Sequence, residues 1–531
     1  MPQGKQIIDG REYVYDYVSV WNKERQRSEQ KREYIGRIIE GEFVPNKKYR
    51  LQQELERAQN EKKRGPVRAE TCKRLFSGAT YLLDEIGNKI GISSDLKACF
   101  PHQYKEIISL AYYLILEPET PLYRFTRWAV THEHPCGHDI PSQRSSEILP
   151  LITEDVKMEF LKKQAKRRAE TEYLFYDSTS ISSYSRQLKQ VKYGKNKDEG
   201  GLAQINIALL FGQKSLLPAY YRKLPGNITD VMTVENLLSG IDYLDIKKVM
   251  LVMDRGYYSE ANLNELMKKH YKFIIGARVS LKFVQDRLSK NRTDFDRRER
   301  YNSETGLFTE THTLVWDYEE VKPRSGEVIN EKRRIYLHIY YNDQHATDEK
   351  IRFNKKLDAM EDDIRSRKMS QEREKECKKY YEIKETPVRG VSFTPKQDVI
   401  DKARKNFGFF VLLSNGVKDP VETLRIYRSK DLIEKAFADL KDRLNMRRTS
   451  VSSEENLEGK LFIQFVALIY LSYVKHAMDS TGLFQNKTMQ ELFDDIDVIE
   501  KYQLPGGAAY YGEITEKQRG LYKLLGFEPP A

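Results

Sequence analysis

Apolar and polar residues follow several successive patterns along the chain. In residues 68–133 the apolar positions recur at helical spacing, and charged helical sequence continues to about residue 172. From residue 173 to residue 277, short apolar runs typical of buried strands alternate with helical stretches in the order βββαβαβ. The patterns predict an α/β protein with a mainly helical N-terminal region.

The α/β segment contains five predicted strands and two predicted helices. Thr229 or Asp230 caps the first helix and Ser259 caps the second, because their side-chain oxygens can accept from the free amides of a first helical turn. The first three strands follow one another directly, which predicts a meander. The strands cover residues 174–176, 202–211, 217–222, 248–253 and 273–277.

After residue 279 the pattern changes again and predicts an inserted segment. Strands at 308–317 and 334–341 precede a very charged helix at 347–381, and a buried strand at 408–414 returns to the core before helices at 431–444 and 457–476. Five regions result. They are an N-terminal region at 1–170, a core in two parts at 171–279 and 407–478, a β-rich insertion with a charged helix at 280–406, and a tail at 479–531 that we expect to be loosely ordered.

Length and charge narrow the class of protein. A chain of 531 residues exceeds what one hydrophobic core usually serves, and 39% hydrophobic with 32% charged residues argues against wholesale disorder. The net charge of +11 and the pI near 9.0 are typical of proteins that bind a polyanion, with a basic solvated surface as the alternative.

Neither disulfide bonds nor a membrane span is indicated. The four cysteines are widely separated and form no CxxC pair, which suits a reducing compartment and gives no sign of a zinc ribbon. The start of the chain has no apolar signal region, and the longest apolar run, 461–474, is shorter than the roughly 20 residues that a bilayer requires. We expect a cytoplasmic protein in which this run forms a buried helix.

Two short segments suggest binding chemistry and have plainer alternatives. Residues 78–97 resemble two helices joined at 91–94, which could be a DNA-reading helix-turn-helix but is more often a helical hairpin. His132, His134, Cys136 and His138 offer four zinc ligands at alternate positions, yet so close a spacing rarely lets four side chains converge on one ion. We predict a polar loop there.

Two aspartates end predicted strands. Asp177 follows the first strand and Asp254 the fourth, so the two carboxylates meet if those strands are neighbours. Mg²⁺ prefers oxygen ligands and is typically held by one or two carboxylates plus substrate phosphate, and two such ions can assist phosphoryl transfer. Taken singly, each aspartate has the alternative of capping a turn.

A third carboxylate lies on a helix with cationic neighbours. With about 100° per residue, Lys430 falls near −40°, Lys441 near −20° and Tyr427 near +20° of Glu434, so all four share one face. Such a face suits an acid for a metal ion and cations for DNA phosphates. The alternative is a surface salt-bridge ladder, because Lys430 and Glu434 are an i,i+4 pair.

Together these motifs resemble the DDE transposases of bacterial insertion sequences, in the branch with the signature Tyr-x2-Arg-x3-Glu-x6-Lys. Tyr427, Lys430, Glu434 and Lys441 match its spacing, with lysine at the arginine position, where no bidentate fork to phosphate is possible unless Arg428 supplies it. The remaining matching segments are Phe175-Tyr-Asp177-Ser-Thr179, Leu224-Pro225-Gly226-Asn227-Ile-Thr-Asp230 and Met253-Asp254-Arg255-Gly256-Tyr257.

The resemblance implies a ribonuclease H-like fold interrupted by a β-rich insertion, and an active site of Asp177, Asp254 and Glu434 holding Mg²⁺ or Mn²⁺, as two ions. It further implies cut-and-paste transposition, with terminal inverted repeats and target DNA as partners and a homodimer in the synaptic complex. The N-terminal region would bind the DNA ends. Candidate DNA contacts are Tyr427, Lys430, Lys441, Arg255, Arg428 and Trp316, the last as a stacking residue for a flipped base at a hairpin end.

Two other functions stay open. One is a catalytically silent, domesticated DNA-binding protein, which the presence of all three carboxylates disfavours. The other is a ribonuclease H-like nuclease without strand transfer, for which the lysine at position 430 leaves room.

Overall fold

The computed structural model describes residues 3–22, 27–60, 72–168, 172–185, 187–194, 202–246, 248–321, 327–366, 369–386, 390–449, 451, 453–504 and 509–531. The chain divides into two compact units. One unit contains Met1–Lys73 with Gln503–Ala509, and the other contains Arg74–Tyr502 with Tyr510–Ala531.

The smaller unit contains a four-stranded antiparallel meander, so the expectation of a mainly helical N-terminal region is wrong for its first part. Two hairpin turns, Asp9-Gly10 and Glu40-Gly41, have positive φ at both residues. This conformation is typical of tight hairpin turns whose twist matches the twist of the flanking strands. Aromatic and β-branched residues, which favour strands, make up most of the second strand, but they do not alternate regularly with polar ones. The elements are β1 Gln3–Ile8, β2 Arg11–Asn22, β3 Arg27–Ile39, β4 Glu42–Pro45 and α1 Lys47–Asn60.

Helices follow, as the spacing of apolar residues predicts. Gly91, at φ 79°, makes the bend between the second and third helices, where the sequence predicts a junction. The fourth helix is buried along most of its length, so it belongs to the core. The elements are β5 Lys73–Phe76, α2 Gly78–Lys89, α3 Ile92–Cys99, α4 Tyr104–Leu116, α5 Phe125–Ala129, α6 Ser142–Ile148 and α7 Glu154–Arg168.

The central sheet begins with the predicted βββαβαβ order. Three antiparallel strands are followed by two that run parallel to the first, which gives the spatial order third, second, first, fourth, fifth. The first strand is longer than expected because its serine-rich second half stays paired with its neighbour. The elements are β6 Leu174–Ser183, β7 Gln204–Gly212, β8 Pro218–Pro225, α8 Asp230–Leu244, β9 Met250–Met253, α9 Glu260–Lys268 and β10 Lys272–Ala277.

The inserted segment extends this sheet. Its long hairpin pairs with the strand that follows the insertion, and that strand pairs antiparallel with β10. The single charged helix expected at 347–381 is two helices, the second capped by Ser370, whose Oγ accepts from the Arg373 amide at 3.2 Å. The elements are α10 Lys282–Asn291, β11 Tyr301–Asn302, β12 Leu307–Val321, β13 Val328–Tyr341, α11 Asp343–Ser366, α12 Gln371–Tyr380, β14 Tyr381–Thr386, β15 Gly390–Pro395, α13 Gln397–Arg404 and β16 Phe409–Ser414.

The C-terminal part is more ordered than predicted. Two helices form beyond residue 479, and the Tyr522 hydroxyl donates to the Gly78 carbonyl at 2.7 Å, whereas residues 505–507 lie outside the described residues. The elements are α14 Pro420–Arg428, α15 Asp431–Ala438, β17 Arg448–Thr449, α16 Glu454–Ser480, α17 Met489–Asp497, β18 Glu500–Gln503, β19 Ala509–Tyr511 and α18 Glu516–Leu524.

Helix α16 contains the longest apolar run and is a core helix, as predicted. Among the described residues it is the helix long and apolar enough to cross a membrane, but 78% of its most apolar window is buried inside the protein. Gln464, the polar residue in the run, donates to the Leu444 carbonyl at 2.7 Å and so keeps its buried amide satisfied. Gly459 lets α16 approach the backbone of residue 149.

Gly459→Ala should destabilise the protein. The added Cβ would lie 2.3 Å from the Leu149 carbonyl oxygen, which is backbone and cannot easily yield, at a cost of about 1–3 kcal/mol. Gly520→Ala is the matched control, because no atom lies within 4 Å of its Cβ position and alanine favours the helix. Thermal unfolding should show a lower midpoint for the first variant only. An equal rise in both midpoints would contradict the close approach.

Candidate active site

Asp177 and Asp254 are placed side by side by the sheet. Tyr176 on β6 pairs in parallel with Met253 on β9, and the two aspartates are the next residues of the two strands. Neighbouring strands are about 4.8 Å apart. Asp177 lies within β6 where its parallel pairing ends, and Asp254 follows β9 as the N-cap of a short 3₁₀ turn, Arg255–Tyr257.

The 3₁₀ turn folds back so that Tyr257 contacts Asp177. The Tyr257 hydroxyl donates to Asp177 Oδ1 at 2.8 Å, and the Ser178 amide donates to the same oxygen at 2.8 Å. Burial raises the pKa of Tyr257 well above its usual value, and the Asp177 charge adds to the rise. Tyr257 is therefore a protonated donor that holds the orientation of Asp177.

Asp254 has its own tyrosine and a lysine. The Tyr427 hydroxyl donates to Asp254 Oδ1, and Lys430 Nζ donates to Oδ2 at 3.0 Å. Gly276 on β10 permits this approach, because a Cβ there would lie 3.0 Å from the Tyr427 hydroxyl and 2.9 Å from the Arg255 amide nitrogen. Burial raises the pKa of Tyr427, and the neighbouring Asp254 charge raises it further.

Glu434 joins the site through Lys430. Lys430 Nζ also donates to Glu434 Oε1 at 3.0 Å, so one ammonium group bridges two carboxylates. Burial lowers the pKa of Lys430, but Asp254 and Glu434 outweigh it and the net pKa is raised. The Glu434 side chain is 55% exposed and the Asp254 side chain 40% exposed, so both are accessible from solvent.

The three carboxylates have the chemistry of a divalent-cation site. Their oxygens are the hard ligands that Mg²⁺ and Mn²⁺ prefer. Among the described residues the three do not all come within 4.8 Å of one another, and the Lys430 ammonium lies between two of them. Asp177 and Asp254 on adjacent strands would hold an ion, and the exposed Glu434 side chain can turn toward it.

A sequence model of the transposase DDE domain matches residues 168–470, more than half of the chain and a span that includes all three carboxylates. The chain belongs to the DDE transposase family. Among solved structures, a chain of a piggyBac transposase synaptic complex with hairpin DNA is similar, with 10% identity, a TM-score of 0.37 and coverage of 73% of this chain and 69% of that chain. No curated protein matches the sequence.

The helical face predicted around Glu434 is only partly correct for this DDE transposase. Tyr427 ends α14, and a tight turn in which the Lys430 amide donates to the Tyr427 carbonyl at 3.1 Å leads into α15. Beyond Ala438 the chain continues as a π-helical segment, Asp439–Arg443, whose wider turn shifts Lys441 from the angle expected for an α-helix. Tyr427 and Lys430 contact Asp254, Lys430 also contacts Glu434, and Lys441 is half-buried on the π-helical segment.

The other residues predicted to contact DNA, Arg255, Arg428 and Trp316, differ in their exposure and in their neighbours. Arg255 is exposed beside Asp254, and its charge acts on Tyr427. Arg428 is exposed at the end of α14. Trp316 is half-buried on β12, where its indole Nε1 donates to Asn264 Oδ1 at 2.9 Å and its ring packs edge-on against Phe283, so its described contacts are with α9 and α10.

Sequence reasoning assigned no role to Tyr257 or to a contact of Asp230. Tyr257 is part of the Asp254 motif, but its link to Asp177 depends on how the 3₁₀ turn folds back. Asp230, at the start of α8, accepts from the Ser178 hydroxyl at 3.3 Å and adds a fourth carboxylate behind Asp177. In the sequence, the signal for the role of Tyr257 is the presence of a tyrosine three residues after Asp254.

Tyr257→Phe should weaken binding of Mn²⁺ to the protein. Loss of the hydroxyl removes the donor that orients Asp177, and loss of such an outer partner costs about 10- to 100-fold in metal affinity. Calorimetric titration with MnCl₂ measures the effect. Tyr258→Phe is the control, because the Tyr258 hydroxyl is buried without a hydrogen-bond partner. Equal affinities for the two variants would contradict the positioning role.

Proposed function

We propose that this DDE transposase catalyses cut-and-paste transposition of an insertion sequence by metal-dependent DNA cleavage and strand transfer. The observation that carries the proposal is the pairing of β6 with β9, which places Asp177 beside Asp254, together with the lysine bridge from Asp254 to Glu434. Carboxylates grouped in this way can hold the cations that activate the attacking oxygen and stabilise the leaving one in phosphoryl transfer.

The proposal includes a ribonuclease H-like core and membership of the branch with the Tyr-Arg-Glu-Lys signature. The strand order third, second, first, fourth, fifth, with two parallel strands after the meander, supports the fold assignment. Contacts among Tyr427, Lys430, Asp254 and Glu434 support the branch assignment, because two signature positions, Tyr427 and Lys430, contact the second aspartate and Lys430 links it to a third, Glu434.

Each protein group has a distinct task in the proposed reaction. Two Mg²⁺ or Mn²⁺ ions held by the carboxylates would activate the attacking oxygen and stabilise the leaving one. Tyr257 and Tyr427 fix the orientation of Asp177 and Asp254 by donating hydrogen bonds. Lys430 neutralises Asp254 and Glu434 before DNA binds, and its ammonium is positioned to contact a phosphate when those carboxylates turn to cations.

The proposed partners are the terminal inverted repeats of the element and target DNA. Arg255 and Arg428 are exposed close to the site and can contact phosphates, in keeping with the net charge of +11. Joining two ends in one reaction requires a homodimer in the synaptic complex, and the bacterial cytoplasm, at the nucleoid, is the proposed location. Incubation with the element's own ends and Mg²⁺, with nicked, hairpin and joined products resolved, tests the whole proposal. Nicked products alone would favour a nuclease, and binding without cleavage a silent DNA-binding protein.

Asp177→Ala, Asp254→Ala and Glu434→Ala should each abolish cleavage of the element ends. Each change removes an oxygen ligand while leaving the basic surface intact, so DNA affinity in a mobility-shift assay should be largely unchanged. Glu516→Ala is a matched loss of one acid, at a side chain that is 97% exposed, and should cleave normally. Wild-type cleavage by any of the three variants would remove that residue from the site.

Trp316→Ala should reduce hairpin formation more than first-strand nicking, if its ring stacks on a flipped base. Gel analysis of the two products over time measures both steps. Asn264→Ala is the control, because it removes the hydrogen bond to the indole and keeps the ring. Equal loss at both steps, or no loss, rules out stacking. The same selective loss in Asn264→Ala would mean that orientation of the indole matters as well.

A further inference from the structure

A second cluster of metal-ligating side chains lies in the helical region, away from the three catalytic carboxylates. Cys136 and His138 belong to a turn in which the Gly137 amide donates to the His134 carbonyl at 3.0 Å. Gly137 has φ 70°, a conformation that glycine adopts freely, and the chain reverses there. The reversal brings Cys136 Sγ to 3.2–3.3 Å from the His138 ring nitrogens.

The third member is a buried glutamate from another element. Glu106, on α4, is 5% exposed, and its Oε1 accepts from Arg144 Nε at 3.0 Å and Nη2 at 2.9 Å. Its Oε2 is buried and, within the part of the chain that the structure describes, has no hydrogen-bond partner. Ligand atoms of Glu106, Cys136 and His138 all lie within 4.8 Å of one another. A buried carboxylate oxygen without a partner is costly unless something binds it.

The neighbouring ligand candidates are engaged elsewhere. His132 Nε2 contacts Asp497 at 2.9 Å, with its ring stacked on Trp128. Glu133 accepts from Lys501 Nζ at 2.6 Å, and His134 Nδ1 meets Ser109 Oγ at 3.1 Å. Cys136 and His138, two of the four candidate ligands at alternate positions, instead meet a glutamate about thirty residues earlier in the chain.

We propose that Cys136, His138 and Glu106 form a zinc site, with Oε2 of Glu106 as the oxygen ligand and water in the fourth position. Thiolate, imidazole and carboxylate are the three side-chain groups that Zn²⁺ binds, usually in a tetrahedron. Bonds of about 2.3 Å to sulfur and 2.0–2.1 Å to nitrogen put those two atoms about 3.5 Å apart, close to the separation of Cys136 Sγ and the His138 ring. The charges of one thiolate and one carboxylate balance the ion.

Zinc at this position would tie the 133–138 loop to α4. Ser109 on the same helix already contacts that loop, since its Oγ accepts from the Cys136 amide at 3.0 Å. Arg144 holds the other Glu106 oxygen and fixes the carboxylate, as outer partners of zinc ligands usually do. An ion here would stabilise the contact between the loop and α4, because Cys136 and His138 lie on the loop and Glu106 lies on the helix.

Cobalt substitution tests the site on the full chain. The Asp177→Asn/Asp254→Asn/Glu434→Gln variant is used as the parent, so that the catalytic carboxylates do not compete for the ion. After removal of metals with a chelator and addition of CoCl₂, one equivalent should bind and give a thiolate-to-cobalt charge-transfer band in the near ultraviolet. Added ZnCl₂ should displace it and raise the thermal unfolding midpoint.

Three variants decide between this site and adventitious binding. Cys136→Ser should lose the charge-transfer band, and His138→Ala, a change at an exposed side chain that leaves the fold intact, should weaken zinc binding by more than about 100-fold. Cys99→Ser, at another half-buried cysteine, is the control and should keep both properties. Absence of the band in the parent, or its persistence in Cys136→Ser, would overturn the proposal. Neither of these two outcomes would affect the assignment of the catalytic carboxylates.

Discussion

The parallel pairing of β6 with β9 is the constraint on which the site depends. It places two aspartates on neighbouring strands, at the position where one strand ends and the other loses its parallel neighbour. Both strands are buried in the middle of the sheet, with β7 on one side and β10 on the other, so neither aspartate can move away without disturbing the core. The pairing of the two strands therefore holds the carboxylates of Asp177 and Asp254 close together, although their like charges repel each other.

The surrounding groups offset that repulsion. Each aspartate accepts from a tyrosine on a different element, Asp177 from Tyr257 and Asp254 from Tyr427, and Lys430 supplies a positive charge. A tyrosine donates without bringing a charge of its own, so it orients a carboxylate and leaves it anionic. Lys430 differs, since it competes with any cation for Asp254 and Glu434. In the proposed reaction, binding of metal and DNA would therefore be coupled to release of this lysine from one or both acids.

The sequence could predict contacts that follow from the order of strands and helices along the chain. It could not predict contacts that depend on how a turn folds or how helices pack. Asp177 and Asp254 could be predicted to meet only if their strands were neighbours, because each follows an apolar run, and the pairing of β6 with β9 meets that condition. Tyr257 was missed because a three-residue turn decides where its hydroxyl points. The N-terminal sheet was missed because its second strand lacks a regular alternation of apolar and polar residues and lies in highly charged sequence, although Asp9-Gly10 is a strong hairpin signal. Glu106 gave no sequence signal, since only the packing of α4 brings it to Cys136.

The two metal sites that we propose differ in the types of ligand that they offer. Zinc binds most sites more tightly than magnesium, so affinity alone would let zinc occupy exposed carboxylates. Asp177, Asp254 and Glu434 offer oxygen only, and two of them are well exposed, which suits an ion that exchanges and completes its coordination with substrate phosphate and water. Cys136 and His138 offer sulfur and nitrogen, which retain zinc. In the proposals made above, zinc would stay bound at Cys136 and His138, and Mg²⁺ or Mn²⁺ would enter the carboxylate site with DNA.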